Sequence, residues 1–162
     1  MEQNTIIRQV RKEDNLALAK IIREVFEEHD APRIGTVYSD PATNNLFELF
    51  QTYRSVLWVA EIDNMITGCC GIYPTEGLPE DYAELVKFYL SQKARGKGIG
   101  KELMVHSIRS AIEFGYKKLY LESLFQFSKA VHIYEKQGFQ KLGRPLGYSG
   151  HSTCDIWMIK EL

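Results

Sequence analysis

Between Lys93 and Lys101 the sequence places three glycines and four cations in nine positions, "KARGKGIGK". An apolar, strand-like run stands before this corner and a helix-like pattern follows it. A strand that turns through glycines into a helix leaves several backbone N–H groups facing one small space. The helix dipole makes that end partly positive, so the corner suits an anion, phosphate above all. Arg95, Lys97 and Lys101 add full charge, and Arg95 has the fork geometry for bidentate phosphate contact. The chain's net charge is only −1, so the cluster is a local feature and not the background of a basic protein.

Two familiar phosphate loops are excluded by single residues. A P-loop ending in Gly100-Lys101 requires glycine at position 95, which is arginine, and Ser or Thr at 102, which is glutamate. The dinucleotide fingerprint G-x-G-x-x-G fails because the glycines fall at 96, 98 and 100.

The elements that must position this corner follow from periodicity. "TIIRQV" reads as a strand, and Asp14 offers an N-cap to a helix carrying Leu18, Ile21, Ile22 and Val25. Pro32 and Gly35 end that regularity, and Leu46, Phe47, Phe50 and Tyr53 suggest a second helix. "SVLWVAEI" and "MITGCCGIY" flank Asp63-Asn64 as a hairpin, and "YAELVKFYL" is the strand before the corner. After the corner, Leu103, Ser107, Ile108, Ala111 and Ile112 trace a helix face closed by Gly115. "KKLYLESL" is a strand and "FSKAVHIYEKQGF" a helix ended by Gly138. "QKLGRPLG" and "TCDIWMIKEL" form a closing strand pair across "YSGHS". This order predicts an α/β fold with a mixed sheet, and the length suits one domain over residues 1–162.

Arg95 to Gly100 resembles the acyl-CoA pyrophosphate loop of the GNAT superfamily of N-acetyltransferases, Gln/Arg-x-x-Gly-x-Gly/Ala. Downstream, "AVHIYEKQGF" resembles the family's second motif, Ala-x-x-x-Tyr-x-x-x-Gly-Phe, at Ala130, Tyr134, Gly138 and Phe139. The resemblance spans most of the chain and is weakest over Ala31–Thr52. It implies the GNAT fold: a central twisted mixed sheet of about six or seven strands, flanked by about four helices and splayed between the fourth and fifth strands. Two positions depart from the family pattern. Gln92 stands where proline is common, and Phe127 replaces an asparagine that commonly contacts pantetheine, a contact either missing here or supplied by another residue such as Ser128.

The resemblance implies acetyl-CoA as acyl donor, held by Arg95, Gly96, Lys97, Gly98, Ile99 and Gly100. The backbone of Phe88, Tyr89 and Leu90 would bond pantetheine, one N–H stabilising the tetrahedral oxyanion. Tyr134, by periodicity alone a core aromatic, becomes the general acid for the departing thiolate. Glu84 matches the general base of histone-acetylating relatives, and a glutamate in an apolar strand also fits a cleft. Glu122 and His151, or a water, are its rivals; His29 is a weaker candidate, and His106 and His132 fall on solvated helix faces.

The reaction implied is transfer of acetyl to a primary amine by direct attack in a ternary complex. The compact length favours a small-molecule acceptor, with a peptide acceptor or a CoA-binding module without turnover as alternatives. Composition adds exclusions: no apolar run of membrane-spanning length, too little basic surface for nucleic acid, and no metal-ligand spacing. Cys69, Cys70 and Cys154 are an odd set without a disulfide pattern, which fits a cytoplasmic protein; Cys69 and Cys70 read as strand packing. Family habit alone suggests a homodimer.

Overall fold

The structure, a computed structural model, describes residues 3–162. In chain order the elements are β1 (Thr5–Gln9), α1 (Asn15–Glu28), α2 (Leu46–Leu49), β2 (Val56–Ile62), β3 (Met65–Tyr73), β4 (Tyr82–Leu90), α3 (Ile99–Glu113), β5 (Lys118–Ser123), α4 (Ser128–Lys136), β6 (Gln140–Leu142) and β7 (Ile156–Glu161). The seven strands form one open sheet in the order β1-β2-β3-β4-β5-β7-β6. Every neighbouring pair is antiparallel except β4 and β5. Asp63 and Asn64 close the β2–β3 hairpin with φ of 50° and 67°, the left-handed pair that matches strand twist.

Helices cover both faces. Leu103 and Met104 of α3, with Val131 and Tyr134 of α4, close one core with Ala83 and Leu85 of β4. On the other face Leu18, Ile22 and Phe26 of α1 and Leu46 of α2 pack on Leu57, Val59 and Cys69. Gly115 and Gly138 follow α3 and α4 with φ of 88° and 94°, the left-handed exits expected of helix-ending glycines.

Several local expectations are corrected. The second helix lasts one turn, and Tyr53 lies beyond it at 86% exposure. Ile112, expected on the inner face of α3, is 56% exposed because the core-facing stripe runs through Leu103, Ser107 and Ala111. Asp14 makes no side-chain cap to α1. Its buried carboxylate instead accepts from the Arg11 N–H (2.6 Å) and from both Arg8 Nη atoms (2.8 and 3.0 Å), and Arg8 also pairs with Glu61 (2.7 Å). His106 is not a solvated residue; it is half-buried, edge-on to Trp58 with centroids 4.9 Å apart.

Candidate active site

The parallel β4–β5 pairing covers only Tyr82–Glu84 against Lys118–Tyr120. Beyond Glu84 the strands part, so Leu85–Leu90 has no β5 partner. A β-bulge in the β3–β4 ladder turns β4 further, since Cys69 faces Tyr89 while Gly71 faces Val86. A cavity of about 450 Å³ opens in this gap. It is reached by Phe26 of α1 from one face and Tyr134 of α4 from the other, so the splay is a passage through the sheet.

At one end of the cavity lies the glycine corner. Gly96 and Gly98 have φ of 74° and 78°, and a Cβ on either would meet no atom of the described residues within 4 Å. Glycine is therefore required there by backbone hand, and the space above the turn is free for a ligand. Gly100 differs: a Cβ would lie 2.9 Å from Leu90 Cδ1 and 3.2 Å from Phe88 Cζ, so this glycine lets α3 start against β4. No side chain caps α3, leaving its first N–H groups to an external acceptor.

The cations of the corner are less free than their types suggest. Both Nη atoms of Arg95 bond the Glu28 carboxylate at the end of α1, and Nη2 also reaches the Leu90 carbonyl at 2.9 Å. The Arg95 hydrogen bonds hold the Glu28 carboxyl below its ordinary value. Arg95 thus ties the corner to α1 and β4, where the sequence suggested a free fork for phosphate. Lys97 Nζ donates to Gln3 (2.7 Å), and Lys101 is exposed on the cavity rim.

Glu84 lies where β4 leaves β5, and it is 4% exposed. Thr75 Oγ1 donates to its Oε1 at 2.7 Å. Burial pushes its carboxyl up to about 7; the Thr75 hydrogen bond opposes this and nearby Glu122 adds to it. A carboxylate that gains and loses a proton near neutrality is matched to proton abstraction. Tyr134 stands on the opposite wall, 6% exposed, its ring 5.8 Å from Phe88 and 5.9 Å from Phe139. Burial raises its phenol further above the ordinary value, so it is a proton donor at neutral pH.

Glu122 faces the same cavity with both oxygens engaged: Tyr120 Oη donates to Oε2 (2.6 Å) and Ser149 Oγ to Oε1. It holds the closing segment in place, and among the described residues Glu84 keeps an oxygen without a donor. His151, whose plainer reading from sequence was loop surface, lines the cavity with its side chain 12% exposed. Its Nε2 lies 3.0 Å from Asp40 Oδ2. His29 is half-buried, with Nδ1 2.9 Å from the Val25 carbonyl. Phe127 packs edge-on against Phe26 (5.1 Å) and Tyr89 (6.3 Å), so it fills apolar space where an amide would bond.

Two residues, one on the cavity wall and one behind it, went unread in the sequence. Asp40 lies in the weakly patterned stretch before α2, and only the fold brings it to His151, 111 residues away. Lys87 was legible in kind, since a lysine inside "ELVKFYL" breaks an apolar strand as Glu84 does. Cys69 and Cys70 are fully buried, and burial pushes the Cys70 thiol up to about 12, consistent with packing. Among the described residues no group of acidic, His and Cys side chains could hold a metal, and no helix is long and apolar enough to cross a membrane.

The splay of β4 from β5, the glycine turn at the start of α3, and the buried Glu84 carboxyl and Tyr134 phenol all line one cleft. The sequence profile of the acetyltransferase (GNAT) family matches residues 18–139, and the chain belongs to that family of acetyltransferase enzymes. It is 33% identical over 161 residues to the uncharacterized N-acetyltransferase YjgM of Escherichia coli K12, covering 99% of this chain and 96% of that protein. The fold is similar to a GNAT-family acetyltransferase of Staphylococcus aureus Mu50, with a TM-score of 0.85 at 19% identity over 98% of this chain and 99% of that one. It is also similar to the PaiA N-acetyltransferase of Thermoplasma acidophilum, solved with coenzyme A, with a TM-score of 0.76 at 20% identity over 98% and 99% of the two chains.

Proposed function

We propose that the protein transfers the acetyl group of acetyl-CoA to the primary amine of a small molecule, by direct attack in a ternary complex. One observation carries the reading: a single cavity joins the open glycine turn at the start of α3 to Glu84 and Tyr134. The coenzyme A bound to the Thermoplasma acidophilum relative supports the choice of donor.

The N–H groups of Gly96 to Gly100 take the pyrophosphate, with Lys97 and Lys101 adding charge and Arg95 bracing the turn through Glu28. The β4 edge over Phe88–Leu90, free of β5, offers backbone groups to pantetheine and one N–H to the oxyanion. Glu84 takes the proton from the acceptor ammonium, which has an ordinary pKa of about 10 and must be neutral to attack. As the C–N bond forms and the C–S bond breaks, Tyr134 gives its proton to the departing thiolate. Tyr134 then recovers a proton from the acylated nitrogen, which leaves the neutral amide, and Glu84 releases its own to solvent.

The test is thiol release from acetyl-CoA over a panel of amino acids, polyamines, aminoglycosides and peptides. Turnover with a small amine and intersecting double-reciprocal lines are expected. Parallel lines would contradict direct attack. Thiol release only with peptides would contradict the acceptor class.

A further inference from the structure

Lys87 is 7% exposed and lines the cavity, yet among the described residues its ammonium makes neither hydrogen bond nor ion pair. The nitrogen opens onto the cavity and is not sealed within protein. The acids around it bond other groups, Glu84 through one oxygen only. Asp40 accepts from Ala42 N–H (2.9 Å) and pairs with His151, Glu122 has both oxygens bonded, and Glu84 holds Thr75. The cavity's buried cation is thus the charge left without a partner.

Its backbone is strained as well. Lys87 has φ of 57°, the left-handed region that strains an L-residue with a side chain. The strain arises from the β4 bulge, where Lys87 and Phe88 together face Cys70. The extra residue reverses the alternation: Phe88 and Leu90 turn to the α3 side, while Tyr89 joins Val86 on the α1 side. Lys87 sits on that same side, beside Cys69 and Cys154 and within the fields of Asp40 and Glu84. A strained backbone and a desolvated, unpaired cation at one residue on the cavity wall point to a ligand that offsets both.

We propose that Lys87 seats a carboxylate of the acceptor, which makes the acceptor an amino acid: one molecule carrying an amine for Glu84 and a carboxylate for Lys87. This rests on the acetyltransferase reading and deepens it. Lys87 and Glu84 stand three residues apart on one face of β4, so their charges match the two poles of a zwitterion. An arriving carboxylate also restores the ammonium, which burial otherwise disfavours.

The experiment compares each amino acid with its amide and its decarboxylated amine in the thiol-release assay, extending to β- and γ-amino acids. The wild-type protein is expected to favour the carboxylate member by about ten- to a hundredfold in kcat/KM. Lys87→Met should bring that ratio to about one while binding acetyl-CoA as the wild type does. Lys87→Gly, which relieves the left-handed strain, supplies a second variant without the charge should the methionine variant fold poorly. Equal or better use of the amides, a ratio unchanged in the variants, or no turnover of any amino acid by protein that binds acetyl-CoA would each overturn the proposal. Failure to bind acetyl-CoA at all would instead sink the acetyltransferase reading, which keeps the two claims separable.

Discussion

Replacing Glu84 with glutamine should raise stability and abolish activity together. The carboxyl is pushed up to about 7 against an ordinary 4.5, chiefly by burial. An unfolded chain therefore loses this proton near pH 4.5, while the folded chain keeps it until about pH 7. Within that window folding takes up a proton, so stability falls as pH rises, and above it the whole cost is in place. At about 1.36 kcal/mol per pH step the cost is about 3 kcal/mol at pH 8 and about 1 kcal/mol at pH 5. Glutamine has nearly the same shape, can still accept from Thr75 Oγ1, and carries no charge to desolvate. Glu84→Gln should melt several degrees above the wild type at pH 8, with a much smaller gain at pH 5. Losing the base should lower kcat/KM about 10²- to 10⁴-fold and remove the limb near pH 7 from the rate profile. Circular-dichroism melts at the two pH values, with thiol-release rates from pH 6 to 9, test both halves. A variant within tenfold of wild-type activity, or one destabilised at pH 8, would refute the reasoning.

Other residues give separate tests. Gly98→Val adds a side chain where no atom of the described residues lies within 4 Å, so it should weaken acetyl-CoA binding more than about tenfold by titration calorimetry, with the main cost to the fold being backbone hand. Tyr134→Phe keeps the ring contacts to Phe88 and Phe139 and removes the proton; kcat should fall about a hundredfold with acetyl-CoA affinity unchanged. Asp14→Ala leaves the Arg8 guanidinium with Glu61 alone and removes the acceptor of the Arg11 N–H, and denaturant unfolding at pH 7 should register a loss of about 2 kcal/mol. Burial opposes the Asp14 charge, but hydrogen bonds from Arg8 and the Arg11 N–H outweigh it and lower the carboxyl. That part of the stability is present above the ordinary 3.8 and is lost as pH falls through the lower folded value, so the loss on mutation should shrink in acid.

The sequence carried the element order because each element had its own signal: short, nearly continuous apolar runs bounded by turn residues in β2, β3 and β4, a period near 3.6 in α1, α3 and α4, and glycine exits at 115 and 138. The corner was legible because Gly96, Gly98 and Gly100 are local requirements of turn hand and close approach. Glu84 was legible as a charge in an apolar strand. What stayed hidden depends on distant partners. Nothing near Arg95 announces that Glu28 holds it, nor does anything near His151 announce Asp40. The bulge that turns Lys87 into the cavity is a mismatch between β3 and β4, so neither strand read alone reveals it. The same holds for Tyr53, whose apolar spacing predicted helix where the chain is already exposed turn.

The central claim is that the glycine corner and the β4–β5 gap form one seat for acetyl-CoA. Titration calorimetry of the wild-type protein against acetyl-CoA tests it most directly. The account predicts one site per chain with a Kd at or below about 10 μM, weakened at least tenfold in Gly98→Val. No heat of binding at about 50 μM, or equal affinity in the two proteins, would contradict it.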